Sequence, residues 1–301
     1  VAAGNDVSQT WTDRQARLLR LAQRRIFLVG GAPRSGTTWL QALLDSHPAV
    51  SCRGEGLFAK HLAQPLEALM TARRDAVEAK NRTVFREAGG GYPLPERSDI
   101  EQLLGTAILL ALERQCAGKS CEAIGEKTPE NVFFFARLKR LFPAAGFIGI
   151  ARDPRDLLTS AWHFFHRPTI AEDTDAAKLA FLRSAFPSLN EGARTMLGLA
   201  REHPSDAMIV TYETMRAEPE ATAARLFRFL GVAADAATVA DCVARTSFAA
   251  MSGGRESGAV REGSFFRRGV VGGWRSTLSA EMNETILREL GWMFPAFGWT
   301  P

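Results

Sequence analysis

The chain has 301 residues, 46% hydrophobic and 23% charged, with 37 Lys and Arg against 33 Asp and Glu. These proportions exclude a disordered or collagen-like chain and supply the core of one large domain, expected to span residues 1–301. The slight basic excess suits an anionic small ligand rather than nucleic acid, and no apolar run has the form of a signal peptide or the length of a membrane span, so the chain reads as cytoplasmic. Val1 stands where an initiator Met would, which leaves room for sequence upstream.

In chain order, residues 11–25 set Leu18, Leu19 and Leu21 among Arg and Gln, an amphipathic helix within an N-terminal extension over residues 1–25. Ile26 to Gly30 reads as a strand, and after a glycine turn a helix runs to about Ser46, where His47-Pro48 stops it. Ala49 to Cys52 is a short second strand, and residues 56–88 look helical, their arginine-rich part a solvated face. A helix from about 99 to 116 precedes a strand ending at Lys127, and "ENVFFFARLKRLF" is the next helix, its three phenylalanines read as core. "GFIGIAR" is an apolar strand of the buried parallel kind, followed by a helix with Asp153 as N-cap and Pro154 at its first position. Helices fill 173–203, "AMIVTY" is another strand, and "PEATAARLFRFLG" is a helix closed by a glycine. The alternation predicts an α/β fold, a P-loop-like parallel sheet with helices on both faces and ligands at the carboxyl ends of its strands.

Four cysteines are scattered; only Cys116 and Cys121 are close, and no second pair completes a zinc set, so free thiols and no metal are expected. His47, His61, His163 and His166 read as helix-surface histidines.

The first strand runs into "GGAPRSGTTW", residues 30–39. Against G-x-x-x-x-G-K-[ST] it fits at Gly31, Gly36 and Thr38 but has Thr37 where the lysine belongs; the cation stands two residues earlier, at Arg34. A turn of this kind lets backbone N–H groups and a helix N-terminus hold a phosphate.

Taken with Lys127, the Arg152 junction and a late Gly/Arg-rich loop, this segment resembles the PAPS-dependent sulfotransferases, which transfer a sulfuryl group from 3′-phosphoadenosine 5′-phosphosulfate (PAPS) to an acceptor and release 3′-phosphoadenosine 5′-phosphate (PAP). The match runs from Ile26 to about Glu284. It implies that Arg34, Ser35, Gly36, Thr37 and Thr38 meet the 5′-phosphosulfate and that Arg152 and Ser160 meet the 3′-phosphate. "RRGVVGGW" resembles the late loop, so Arg267, Arg268 and Gly269 complete the 3′-phosphate site. "VTYETM" and "RTSF" match the adenine pattern, implying Tyr212, Thr246 and Phe248, with Trp39 on the base. Cytosolic members place a histidine after a Lys-Thr pair; here that position is Pro129. "LDSHPAVSCRGEG" instead is similar to the tyrosylprotein sulfotransferases, which use a glutamate, and "GEKTP" to the glycan sulfotransferases, which use a carboxylate.

The implied base is therefore Glu55, with Arg34 and Lys127 as cations at the sulfuryl group and Glu126 as the second carboxylate considered. Arg34 cannot give up its proton to the leaving oxygen, so its role is electrostatic. The acceptor is a hydroxyl of a glycan, a small alcohol or phenol, or a peptide tyrosine, met by residues 56–98 and 253–275. "RSTLSAEMNE" partly resembles a dimer segment, with Arg275, Ser279 and Glu284 in place but Ser279-Ala280 for its Thr-Val, so a homodimer is a weak expectation. The competing readings are a nucleotide kinase or NTPase with an altered loop, opposed by the missing lysine, and a non-catalytic nucleotide-binding module.

Overall fold

The apolar runs of the sequence become the strands of one parallel sheet: β1 (Arg25–Gly31), β2 (Val50–Cys52), β3 (Ala123–Lys127), β4 (Gly146–Ala151) and β5 (Ala207–Thr211), in the spatial order β2-β3-β1-β4-β5. The computed structural model describes residues 7–87, 89–166, 173–256, 258 and 269–301. Every residue of β3 and β4 is buried, as is all of β1 beyond Arg25, which is how a strand covered on both faces must be. The register sets Val29 beside Lys127 and Gly31 beside Ile150, so the carboxyl ends of the three central strands finish together.

Helices α1 (Val7–Ala22), α2 (Thr37–Ser46), α3 (Gln64–Thr83), α4 (Arg97–Gln115), α5 (Asn131–Leu141), α6 (Pro154–Phe165) and α7 (Asp175–Glu202) occupy the first two-thirds of the chain. They are followed by α8 (Tyr212–Ala217), α9 (Pro219–Leu230), α10 (Ala236–Arg245), α11 (Phe248–Ser252), α12 (Ala280–Leu290) and α13 (Met293–Phe297). Alternation along each strand divides the core. Leu28 and Phe147 point to one face and pack with Leu18, Ile108, Phe135 and Met196, whereas Phe27 and Ile148 point to the other and pack with Leu40, Leu44, Phe227 and Cys242. Helices thus cover both faces, as the alternation predicts. None of the described helices is long and apolar enough to cross a membrane.

Three local expectations need correction. The helical stretch after residue 56 opens with a π turn, Phe58–Ala63, entered through Leu57 at φ 52°, and only then becomes α3. Of the three phenylalanines in α5, Phe134 and Phe135 are core but Phe133 is 49% exposed. His47 is not a surface histidine: it is buried, accepts the Ala49 N–H at Nδ1 (3.1 Å) and bonds the Ala233 carbonyl through Nε2 (3.0 Å). It fastens the end of α2 to the segment after α9, and burial lowers its pKa below the usual 6.5.

Candidate active site

Beyond β1 the chain turns through Ala32 to Ser35 into α2. Gly36 sits at φ 104°, and a Cβ there would stand 2.8 Å from the Tyr212 ring, so the loop passes that tyrosine only because residue 36 has no side chain. No side chain caps α2. Its first backbone N–H groups are left without intrahelical partners at a cleft that Gly36, Thr37, Thr38 and Trp39 line. Arg34 holds φ 72°, a conformation that disfavours an L-residue by about 1–2 kcal/mol. The turn sends its side chain across the loop, where Nε donates to Ser160 Oγ (3.3 Å) and the guanidinium lies 4.2 Å from the Phe164 ring centre.

β4 delivers Arg152 to the facing wall. Its guanidinium donates to the carbonyls of Arg34 (3.1 Å) and Val270 (3.2 Å) and lies 4.2 Å over the Tyr212 ring. α6 begins as its sequence predicts, with the Asp153 carboxylate accepting the Arg155 N–H (2.9 Å) and Pro154 at the first helical position. Asp156 then accepts the backbone N–H groups of Gly272 (2.6 Å) and Trp274 (2.9 Å), binding the late segment to this helix, while Thr159 and Ser160 face the cleft.

β5 ends at Thr211, whose side chain and that of Thr214 cap α8 reciprocally and turn Tyr212 inward. Burial pushes the Tyr212 phenol's pKa up, against the pull of Arg152, so it stays a neutral donor. The next residue, Glu213, accepts the Asp153 N–H (3.0 Å) and Trp299 Nε1–H (2.8 Å), and burial raises its pKa.

Aromatic groups close one end. Trp39 Nε1 donates to the Thr246 carbonyl (2.9 Å), and its ring meets Tyr212 edge-on at 5.6 Å. Phe248 lies against Gly269, where φ is 64° and an added Cβ would come within 2.3 Å of the ring.

At the neighbouring strand end, alternation along β3 sends Glu126 and Lys127 to opposite faces, and both grip the segment after β2. The Lys127 ammonium, 6% exposed, pairs with the Glu55 carboxylate, which is 43% exposed. The Lys127 N–H also donates to the Gly54 carbonyl (3.3 Å). Glu126 is 2% exposed and accepts from Gly56 N (3.0 Å), Thr128 Oγ1 (2.9 Å) and Asn131 Nδ2 (2.8 Å); burial raises its pKa. Its carboxylate is used up inside the protein as an anchor for the loop that carries Glu55.

Of the residues singled out from the sequence, Arg34, Gly36, Thr37, Thr38, Trp39, Arg152, Ser160, Tyr212, Phe248 and Gly269 line one cleft. Glu55 and Lys127 stand together at the adjoining strand end and outside that lining. Thr246 lies behind Trp39, its hydroxyl on the Cys242 carbonyl (2.8 Å), and shares a side recess with Trp39 and Phe248. Ser35 is fully buried and belongs to the rear of the loop. Arg267 and Arg268 lie outside the described residues. In the dimer-like segment, Ser279 caps α12 and Arg275 stacks on Trp274. Sequence reading missed Asp156, Thr159, Arg216 and Met251, which also line the cleft. Only Asp156 carried a signal, as the second acid of "RDPRD" in the first turn of α6.

The chain matches the model of the "Sulfotransferase family" over residues 26–236. It is 27% identical over 210 residues to Protein-tyrosine sulfotransferase 2 of Gallus gallus, covering 69% of this chain and 51% of that one. To Cytosolic sulfotransferase 12 of Arabidopsis thaliana it is 29% identical over 161 residues, 49% of each. The chain thus spans about half the length of these curated relatives. Among solved structures, mouse sulfotransferase SULT7A1 complexed with PAP superposes with a TM-score of 0.56 at 17% identity, covering 90% of this chain and 84% of that one, a likeness of fold.

Proposed function

Since the chain belongs to the sulfotransferase family, we propose that it is an enzyme that transfers a sulfuryl group from PAPS to an acceptor hydroxyl and releases PAP. The observation that carries the reading is one cleft with two cationic sites and an aromatic end. It joins Arg34 and the bare N-terminus of α2, Arg152 beside Ser160, and Trp39 with Phe248, drawn from segments more than 200 residues apart. A donor with a phosphosulfate, a second phosphate and a purine asks for this set: N–H groups and Arg34 for the first anion, Arg152 and Ser160 for the second, ring faces for the base.

The residues divide the chemistry as follows. Glu55 takes the proton of the acceptor hydroxyl as its oxygen bonds to sulfur. The bond from sulfur to the phosphate oxygen breaks, and its electron pair leaves with the phosphate. Arg34, Lys127 and the α2 N–H groups stabilise the charge that develops there. Lys127 engages one oxygen of Glu55 and leaves the other toward the acceptor, while Glu126 holds the loop in place. No step needs a metal: a sulfuryl group carries less negative charge than a γ-phosphoryl group, and fixed cations suffice. The acceptor is a hydroxyl of a peptide tyrosine, a glycan or a small alcohol or phenol. The four free cysteines, three of them buried, fit a reducing compartment such as the cytoplasm.

Calorimetric titration with PAP, ADP and ATP, each with and without Mg²⁺, tests the reading. Metal-independent binding that requires the 3′-phosphate and weakens in Arg152→Ala sustains it, and a panel of the three acceptor classes then assigns the substrate. Preference for ATP with Mg²⁺ would overturn it in favour of a kinase or NTPase.

A further inference from the structure

After β2 the residues from Arg53 to Leu57 are all exposed, and Gly54 and Gly56 stand on either side of Glu55. A surface carboxylate between two glycines has few restraints of its own, so holding it toward a reacting hydroxyl needs bonds from elsewhere. The end of β3 supplies them. The Lys127 N–H donates to the Gly54 carbonyl (3.3 Å), Glu126 accepts the Gly56 N–H (3.0 Å), and Thr128 Oγ1 accepts the Leu57 N–H (3.3 Å). Backbone bonds thus bracket Glu55 on both sides, in addition to its ion pair with Lys127.

Thr128 joins two of the three. Its hydroxyl has one proton, which goes to Glu126 Oε2 (2.9 Å), the same oxygen that receives the Gly56 N–H, while a lone pair takes the Leu57 N–H. Leu57 sits at φ 52°, a position disfavoured for a residue with a branched side chain and kept only where its surroundings fix it. Glu126 Oε1 accepts from Asn131 Nδ2 (2.8 Å), which also donates to the Val29 carbonyl (3.0 Å), and the Gly31 N–H donates to the Pro129 carbonyl (3.0 Å). Val29 and Gly31 are the end of β1, directly before the glycine turn. Glu126, Thr128 and Asn131 are no more than 4% exposed, so water does not compete for these bonds. Residues 126–131 therefore fasten the Glu55 loop to the base of the turn that the donor's phosphosulfate would meet.

We propose that Thr128 is a positioning residue for Glu55. It stands outside the lining of the donor cleft and acts through the backbone of Gly56 and Leu57, fixing the direction of the carboxylate relative to the glycine turn. It governs how fast the acceptor's proton is removed and leaves donor binding alone. This role rests on the proposed function of Glu55; the hydrogen-bonded clip does not.

Two variants of the full chain test it. Thr128→Val keeps the shape and removes the hydroxyl, and Thr128→Ser puts the hydroxyl back. Amide hydrogen exchange reads the clip: the Gly56 and Leu57 amides should exchange at least about tenfold faster in the valine variant and near the wild-type rate in the serine variant. Turnover is read as PAP release from PAPS with a tyrosine-containing peptide, methyl glucoside and 1-butanol as acceptors. In Thr128→Val, kcat should fall about tenfold to a hundredfold, with the acceptor KM and the PAP affinity within about twofold of wild type, and Thr128→Ser should restore kcat. Thr128→Ala repeats the measurements if the valine variant melts early. Unchanged exchange in both hydroxyl-free variants would overturn the clip. Faster exchange with unchanged kcat, or a loss of kcat that serine does not restore, would overturn the positioning role. Glu55→Gln separates the two readings: turnover that survives it removes the proposed base, whereas turnover lost in Glu55→Gln and kept in Thr128→Val removes only the role of Thr128. A wild type that uses none of the three acceptors leaves the clip to be decided by exchange.

Discussion

In front of the glycine loop between β1 and α2, polar groups from distant segments converge on one cleft, and several bond each other's backbone: Arg152 to the carbonyls of Arg34 and Val270, Trp39 to that of Thr246. Behind the same loop, Val132, Leu157, Leu189 and Met196 leave a mainly apolar space that also borders Arg152 and the buried Ser35, whose hydroxyl has no partner among the described residues. The front is defined by which residue types are present, because a positive φ, a guanidinium or an indole N–H cannot be supplied by another side chain. The rear is defined by what is absent, a side chain at Gly192 and, among the described residues, a partner for Ser35. A loop only a few residues thick therefore separates a surface specified by chemistry from one specified by volume.

The sharpest way to break this comparison is at the strand end beside the front cleft. Glu55→Gln keeps size and removes the proposed base, and turnover is expected to fall about a thousandfold with PAP affinity within about twofold of wild type. Steady-state kinetics beside calorimetry decides it; a turnover that survives would mean that Glu55 only pairs with Lys127. Next in size is Arg152→Ala, which removes two charged hydrogen bonds and the contact over Tyr212. A loss of about a hundredfold in PAP affinity is expected, and a loss under about threefold would show that Arg152 merely closes the loop.

The same substitution on the two sides of the loop gives the third test. Gly36→Ala forces a Cβ toward the Tyr212 ring at a left-handed position and should destabilise by about 2 kcal/mol. Gly192→Ala adds a methyl group within a helix, in ordinary contact with the Phe133 ring, and should stabilise by about 0.5–1 kcal/mol. Opposite shifts in thermal melts sustain the contrast, and two losses would mean that the rear is packed.

The smallest effect concerns the far end of α2, the helix whose start serves the front cleft. His47 is held neutral, with Nδ1 accepting the Ala49 N–H and Nε2–H on the Ala233 carbonyl. Burial lowers its pKa in the folded state, so on acidification the unfolded chain takes up its proton first, near pH 6.5. Its contribution to stability is present above about pH 6.5 and is lost as pH falls through the folded value. Denaturant titrations from pH 7.5 to 5 should show a shallower decline for His47→Gln than for wild type; parallel curves would assign acid sensitivity to other groups.

The front was legible in the sequence because the turn chemistry is contiguous. Gly31, Gly36, Thr37 and Thr38 lie within eight residues, between a strand and a helix that their own patterns announce. The parallel sheet was legible for a related reason: β1 and β4 are buried on both faces and read as unbroken apolar runs. Asp156 was hard to see because an acid in the first turn of a helix is commonplace, and its duty to Gly272 and Trp274 depends on a segment 116 residues away. Tyr212 was read as the last residue of a strand, yet the reciprocal cap of Thr211 and Thr214 ends β5 before it and starts α8. The rear cavity left no motif at all. Gly192 and Ala193 look like any helix interior, and only the spacing of α5, α7 and the loop makes a space of them.

The late segment has a bearing on how the protein is made. Gly269 and Val270 supply part of the cleft wall, Asp156 fastens Gly272 and Trp274, Arg155 donates to the Thr300 carbonyl (2.7 Å), and Trp299 bonds Glu213. All of these contacts join residues near the C-terminus to the beginnings of α6 and α8. During synthesis the sheet and the glycine loop leave the ribosome first, and for the interval in which Gly269 to Thr300 are still being translated the nascent chain holds the loop without its closing wall. Completion of the cleft therefore waits on residues made after every strand of the sheet.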